Sequence, residues 1–447
     1  MKAVTTEQIR ELDRRTIAAG TPGRELMERA GYAVAKTVFE LLKKSNARSV
    51  LLFAGKGNNG GDAFVAARHL AGAGCTATVV LLCRRNELQG DALHHFQQLI
   101  GVPVLDWPGE VPDAAVIVDG LLGTGFAGEV REPIASAIQF INEARRPVVA
   151  IDVPSGYCVR ADVTVTIGLP KIDLLKHLDC AGRIEVADIG LIDDVESEIE
   201  LITRADIVLP ARKRDSHKGD FGHLLIIAGS EGYTGAPVLC AHAAARSGVG
   251  LVTLAVPRNI YPIIAGMCPP EVMPCPLESL SGKFTAAAIG PGLRQPVTQV
   301  YAAQTLLDAG ALDLSAIRPG MVLTPHPGEM GRLIGKPVVD RWAVARQFAR
   351  EQDVTLVLKG AGTVVTDKSG KLWINSTGNP GMAKGGMGDA LTGIIGALLA
   401  QGLPPLEAAK AGVFFHGRAG DLAAERVGEV ALLATDLIES LGAAFSL

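Results

Sequence analysis

A chain of 447 residues exceeds what one hydrophobic core supports and implies two or three domains. Hydrophobic residues at 48% and charged residues at 20% exclude a disordered composition, and a net charge of -4 excludes the basic face of a nucleic-acid-binding protein. The longest apolar stretch, residues 390–403, is shorter than the roughly 20 residues a bilayer span needs, and it reads as a core helix.

The polar start at Met1-Lys2-Ala3-Val4-Thr5-Thr6-Glu7 lacks the apolar core of a signal peptide. Seven cysteines without C-x-x-C spacing read as reduced thiols. A cytoplasmic protein with no membrane or nucleic-acid partner is the expectation. Thr6 is expected to cap a first helix holding Ile9, Leu12 and Ile17, with Gly20 ending it, and a second helix follows over 24–44. Residues 49–54 read as a buried strand, 55–61 as a glycine-rich loop and 62–73 as a helix. Strands recur at 77–82, 115–119 and 147–152 with helical stretches between them, which implies a parallel sheet covered on both faces. From 186 to 218 the pattern loosens into charge, including Ala211-Arg212-Lys213-Arg214-Asp215, which reads as a solvated linker. The pattern restarts with a strand at 223–228, a helix at 235–247 and strands at 251–256, 286–289, 321–324, 354–358 and 363–366. Two long helices, 388–401 and 406–425, close the chain. The boundary is expected near 205–215, giving domains 1–205 and 206–447. The fold class is α/β throughout.

Ligands of open parallel sheets bind at the carboxyl ends of strands. Gly55-Lys56-Gly57-Asn58-Asn59-Gly60-Gly61-Asp62 stands at such an end, where glycines admit a phosphate and a helix N-terminus offers free N–H groups. It is neither G-x-G-x-x-G nor a Walker A loop. Asp119 opens a second loop, Gly120 to Glu129, and Asp152-Val153-Pro154-Ser155-Gly156 ends a further strand. Asn59, Asp119 and Ser155 offer hard oxygens suited to an alkali or alkaline-earth cation.

These three segments resemble the motifs of the NAD(P)HX epimerases, the YjeF N-terminal family. The resemblance implies a Rossmann-like αβα domain and a potassium ion held by Asn59, Asp119 and Ser155. It implies that the hydrated cofactor lies against Asn58, Asn59, Gly60, Gly61 and Asp62, against Gly123, Thr124, Gly125, Phe126, Ala127, Gly128 and Glu129, and against Asp152. Asp152 is then the candidate acid/base for inverting C6 of the hydrated ring. Lys171 matches a lysine of the family without an assigned role. The chain departs from the family at Tyr157-Cys158-Val159-Arg160, a shortened loop expected beside the pocket.

Asn379-Pro380-Gly381-Met382-Ala383-Lys384-Gly385-Gly386-Met387-Gly388-Asp389 leads into an apolar helix. Successive N–H groups at a helix N-terminus make an anion site, and Asp389 stands where a base would take a hydroxyl proton during phosphoryl transfer. Lys359-Gly360-Ala361-Gly362-Thr363 is a turn between strands, and Thr324-Pro325-His326-Pro327-Gly328-Glu329 follows another strand end. Together these resemble the ADP-dependent NAD(P)HX dehydratases, the YjeF C-terminal family of ribokinase-like fold. That resemblance implies Asp389 as catalytic base and Gly385, Gly386 and Gly388 in the anion hole. Lys359, Gly360, Ala361, Gly362 and Thr363 would contact ADP or ATP, Ala236, Gly292 and His326 the hydrated cofactor, and magnesium would accompany the phosphates. Met387, expected to crowd the anion hole, Arg294 and Gly310 depart from the family pattern.

The expected substrates are NADHX, NADPHX and ADP, and the expected assembly is a homo-oligomer. The expected activity is epimerisation of NAD(P)HX followed by ADP-driven dehydration to NAD(P)H, AMP and phosphate. The rival is a ribokinase-like kinase for a vitamin or sugar alcohol, with a non-catalytic N-terminal binding domain.

Overall fold

The computed structural model describes residues 1–126, 128–293, 304–308 and 314–446. Ala127, Arg294 and Gly310, singled out above, lie outside the described residues. The chain divides into two compact units, Met1–Ser197 and Glu198–Leu447.

In the first unit, β-branched and leucine-rich runs form β1 (Ser49–Ala54), β2 (Thr76–Leu81), β3 (Val104–Asp106), β4 (Val116–Gly120), β5 (Val148–Ile151), β6 (Val163–Ile167) and β7 (Arg183–Ala187). They pair in parallel in the order β3-β2-β1-β4-β5-β6-β7. β1 and β4 are neighbours although β2 and β3 intervene in sequence, so the connections diverge between them and open a crevice at their carboxyl ends. Val50, Leu52 and Ala54 pack on one face with Phe64 and Leu70, while Leu51 and Phe53 pack on the other with Ile117 and Ile141. Continuous apolar strands therefore serve two cores.

The second unit contributes β8 (Ile199–Leu201), β9 (His223–Ile227), β10 (Leu251–Val256), β11 (Val272–Pro276), β12 (Ala286–Ile289), β13 (Gln304–Asp308), β14 (Val322–Thr324), β15 (Thr355–Leu358), β16 (Thr363–Thr366) and β17 (Leu372–Asn375). Their order is β11-β10-β9-β12-β13-β14-β15-β16-β17-β8, parallel from β11 to β15 and antiparallel across β15, β16 and β17. The helix Met387–Ala400 is buried nearly all round and packs against Leu224, Ala288 and the helix Gly235–Arg246.

Several expectations shift. The first helix is Thr6–Ala18, capped not by Thr6 but by Thr5, whose hydroxyl accepts the Gln8 N–H at 3.2 Å. The helix after β1 starts at Asn58 and absorbs half of the glycine loop. The stretch over 186–218, whose sequence carries no periodic pattern, supplies β8, which adds to the edge of the second sheet beside β17. That pairing moves the division from 205/206 to after Ser197. A third closing helix, Ala434–Phe445, buries Leu437, Ile438 and Leu441.

Candidate active sites

At the end of β1 the chain enters the helix Asn58–Gly72 through Gly55 to Gly57. A Cβ on Gly60 would stand 1.9 Å from the Gly55 carbonyl oxygen, and one on Gly61 would stand 2.4 Å from Met27 Sδ. Those two glycines serve the close packing of the helix start and do not line the cavity. A cavity of about 1200 Å³ opens over the strand ends. It brings together Asn58, Asn59, Asp62, Gly123, Thr124, Gly125, Phe126, Asp152 and Lys171 of the residues singled out in sequence, and it adds Asp13. Gly128 and Glu129 are not among its walls, and neither is Tyr157. The short loop after Ser155 turns away, with Tyr157 stacked on His177 at 4.3 Å.

Asp152, immediately after β5, has φ +65, a left-handed conformation that costs a non-glycine residue about 1–3 kcal/mol. Tertiary contacts hold it there. Its N–H donates to the Val165 carbonyl at 2.8 Å, and its Oδ1 accepts from Lys171 Nζ and from the Ile167 N–H at 3.1 Å. Lys171 Nζ also donates to the Ile167 carbonyl at 2.6 Å and to Thr166 Oγ1 at 3.3 Å, and the lysine is 2% exposed. Asp62 is 6% exposed; burial, with the charges of Asp152 and Asp13, pushes its carboxyl well above the carboxylate range. Burial raises Asp13 as well. The cluster is therefore a buried Asp152–Lys171 salt bridge beside a carboxyl whose pKa is raised. Asp13 escaped the sequence reading, although an acid four residues after buried Ile9 on an amphipathic helix signals a polar task.

Beneath the cavity wall, Asp119 ends β4 fully buried. It accepts from Ser155 Oγ at 2.6 Å, from the Ser155 N–H at 2.8 Å and from the Leu121 N–H at 3.2 Å. Burial pushes its carboxyl up to about 6 against the pull of those bonds. Asn59 Nδ2 donates to the carbonyls of Ile151 at 2.7 Å and Leu122 at 3.1 Å. A Cβ on Gly123 would stand 2.4 Å from Asn59 Oδ1, so only glycine leaves that oxygen open. Asp119, Ser155 and Asn59 thus converge as oxygen donors around a carboxylate with no basic partner among the described residues. That donor set fits a monovalent hard cation.

In the second unit Gly386, at φ +92, turns the chain into the helix Met387–Ala400, with Asp389 in its first turn. Burial, reinforced by Asp308 and Glu329 and opposed by Lys359, pushes the Asp389 carboxyl up to about 6. Lys359, after β15, places Nζ 3.3 Å from Asp308 Oδ1 and 3.7 Å from Glu329 Oε2. A Cβ on Gly388 would stand 3.3 Å from the same Nζ. The lysine therefore joins the turn over 359–363 to the glycine turn. Gly360 and Gly362, at φ +131 and +61, are held by Arg341, whose guanidinium donates to the carbonyls of Leu358, Lys359, Ala361 and Gly362 at 2.6–3.3 Å.

His326 is exposed and caps the helix Pro327–Ile334. Its Nδ1 accepts the N–H groups of Gly328 and Glu329 at 3.1 and 3.2 Å, which leaves Nε2 to donate to Glu329 Oε1 at 3.1 Å. A Cβ on Gly292 would meet the Ala236 Cβ at 3.1 Å, so those two stand together. Met387 does not crowd the glycine turn. Its side chain is buried in the core, and its carbonyl is 2.9 Å from Nε2 of His416, a half-buried imidazole whose pKa desolvation pushes down to about 4. Arg341 and Asp308 were missed in sequence because they act through contacts with distant strands.

No described helix is long and apolar enough to cross a membrane. Residues 23–172 match the family model for the YjeF-related protein N-terminus, and residues 224–442 match the model for NAD(P)H-hydrate dehydratase. The bifunctional NAD(P)H-hydrate repair enzyme Nnr of Moorella thermoacetica is 39% identical, covering 99% of this chain and 96% of that protein. The protein of the same name from Escherichia coli K12 is 37% identical over 93% of this chain and 88% of its own. Among solved structures, a ribokinase-like superfamily protein from Enterococcus faecalis is 26% identical with a TM-score of 0.50, covering 57% of this chain and 98% of that one. The second unit is ribokinase-like, the first Rossmann-like, and the chain belongs to the family of bifunctional NAD(P)H-hydrate repair enzymes.

Proposed function

We propose that the first unit interconverts the R and S forms of NAD(P)HX and that the second dehydrates the S form to NAD(P)H, with ADP giving AMP and phosphate. Inverting C6 requires a bond at that carbon to open and close on the other face. Asp152, paired to Lys171, takes the C6 hydroxyl proton as the C6–N1 bond breaks to an aldehyde, and Asp62 supplies a proton to N1. Rotation about C5–C6 and reclosure return both protons. Potassium, held by Asn59, Asp119 and Ser155, would supply the positive charge that the buried carboxylate otherwise lacks.

In the second unit the C6 hydroxyl is a poor leaving group. Asp389 takes its proton as it attacks the terminal phosphorus of ADP, and the N–H groups at Gly385, Gly386 and Gly388 receive the phosphoryl oxygens beside Lys359. Elimination of phosphate with the C5 proton restores the dihydropyridine. Magnesium on the diphosphate would neutralise its charge, and the carboxylates of Asp308 and Glu329 are oxygen donors that fit it. Ala236, Gly292 and His326 are assigned to the hydrated cofactor.

The observation carrying this reading is the meeting of Asp389, Lys359 and the glycine turn at one helix N-terminus. A kinase with an inert N-terminal module leaves the Asp62–Asp152–Lys171 cluster without a task. The test supplies a mixed pair of hydrate epimers with ADP and potassium and follows dihydronicotinamide absorbance. Complete return supports both activities, a plateau near half leaves only the dehydratase, and no return overturns the reading.

A further inference from the structure

The first site has two ends. Asp152, Lys171 and Asp62 gather at the ends of β5 and β6, on one side of the divergence between β1 and β4. A hydrated nicotinamide ring reacting there leaves its diphosphate over the helix start at Asn58, and the rest of a dinucleotide then runs over β1 towards β2 and β3. The cavity of about 1200 Å³ exceeds what a mononucleotide fills and continues along that path.

After β2 it is walled by Leu82, Cys83, Arg84 and Arg85. In sites of this strand order a carboxylate near the end of β2 selects an unphosphorylated adenosine ribose, and an arginine there accommodates a 2′-phosphate. Here β2 ends at Leu81, and after Leu82 and Cys83 come two arginines. Both are exposed, and neither guanidinium is ion-paired among the described residues. Lys56 lines the same cavity. Besides Asp13, Asp62 and Asp152 at the reacting end, the cavity is lined by Glu87, which is committed to the Arg84 N–H at 2.8 Å, and by Asp91 and Asp106, which remain to oppose an anion.

We propose that Arg84 and Arg85 form a 2′-phosphate subsite that makes the first unit prefer NADPHX to NADHX. The inference rests on the epimerase reading of this site and adds to it a selectivity between its two substrates. Arginine suits the task because its planar guanidinium meets phosphate oxygens in pairs. The phosphate is remote from the reacting ring and binds ground state and transition state alike, so the preference appears in KM rather than kcat.

The experiment uses the full chain without ADP, so that only epimerisation is read, and follows each hydrate from a single epimer. The wild-type ratio of kcat/KM, NADPHX over NADHX, is expected to be on the order of 10 to 100. The R84A/R85A pair should bring that ratio close to one through KM, and R84E/R85E should invert it. Partial misfolding scales kcat for both substrates and leaves each KM where it was, so an unchanged KM for NADPHX in both pairs, read on the fraction that still epimerises, overturns the subsite. A wild-type ratio near one also overturns it. If the wild-type chain epimerises neither hydrate, the epimerase reading fails instead, and calorimetry with NADP+ and NAD+ decides the subsite. Tighter NADP+ binding that R84A/R85A abolishes supports it, and equal binding or a preference surviving the substitution overturns it.

Discussion

Asp389 couples reactivity to stability. Its carboxyl titrates near 6 in the folded chain against an ordinary value of 3.8. Between those two values the folded state binds more protons than the unfolded one, so this group's contribution to stability falls as pH rises from about 4 to about 6 and stays low above that. Asp389→Asn is therefore expected to stabilise the second unit at pH 8, by up to about 3 kcal/mol, while removing dehydration. Thermal unfolding and single-turnover assays check both. The wild-type dehydration rate should climb through a pH near 6, and a flat profile from pH 5 to 8 would remove Asp389 as the base. The glycines divide in the same physical way. Gly60→Ala drives a methyl into the Gly55 carbonyl and should unfold or inactivate the first unit, whereas Gly57→Ala meets nothing within 4 Å and should be tolerated. Parallel expression and epimerisation assays separate the two.

At the scale of elements, turns act where helices hold them. The helix Arg341–Gln352 starts at Asp340, whose carboxylate caps Trp342 and Ala343 at 2.9 and 3.0 Å. Arg341 then reaches the carbonyls around Gly360 to Gly362 from a half-buried position. Arg341→Ala should raise the KM for ADP roughly tenfold with a smaller change in kcat, because the turn loses its brace and not its reacting groups. Equal falls in kcat with KM unchanged would instead place Arg341 in the chemistry. The helix Pro405–Val427 braces the segment that leads into the glycine turn: Asp421 accepts from the Gly378 N–H at 3.1 Å and from Asn379 Nδ2 at 3.0 Å. Asn379 Oδ1 in turn accepts the Gly381 N–H at 3.1 Å.

At the scale of the whole molecule, each unit has its own sheet and its own core, which predicts separate folding. A fragment over 198–447 should fold and melt cooperatively. A fragment from 206 loses β8 and with it Glu200, which accepts from Lys371 Nζ at 2.5 Å and Trp373 Nε1 at 3.1 Å. It should melt several degrees lower, as expected for a loss of about 1–3 kcal/mol. Equal melting temperatures would make β8 dispensable and return the boundary to the neighbourhood of 205.

The alternation of apolar strands with amphipathic helices determined the α/β class, because burial on both faces of a parallel sheet requires continuous hydrophobic runs such as Ser49–Ala54 and His223–Ile227. The strand-end motifs likewise marked where Asp119 and Asp152 stand, since backbone direction brings the ends of parallel strands to one edge, and the glycine run before an apolar helix marked Asp389 at that helix's N-terminus. Short edge strands such as Val104–Asp106 and Ile199–Leu201 carry no period in three residues, and their pairing partners lie far away in the chain. Only the tertiary structure put Asp13 and Lys171 beside Asp152, Asp308 beside Lys359, and Gly60 under the loop rather than in the cavity. Those placements depend on distances across the sheet, and they are decided by which residues fill the space between elements, a quantity that local sequence does not contain.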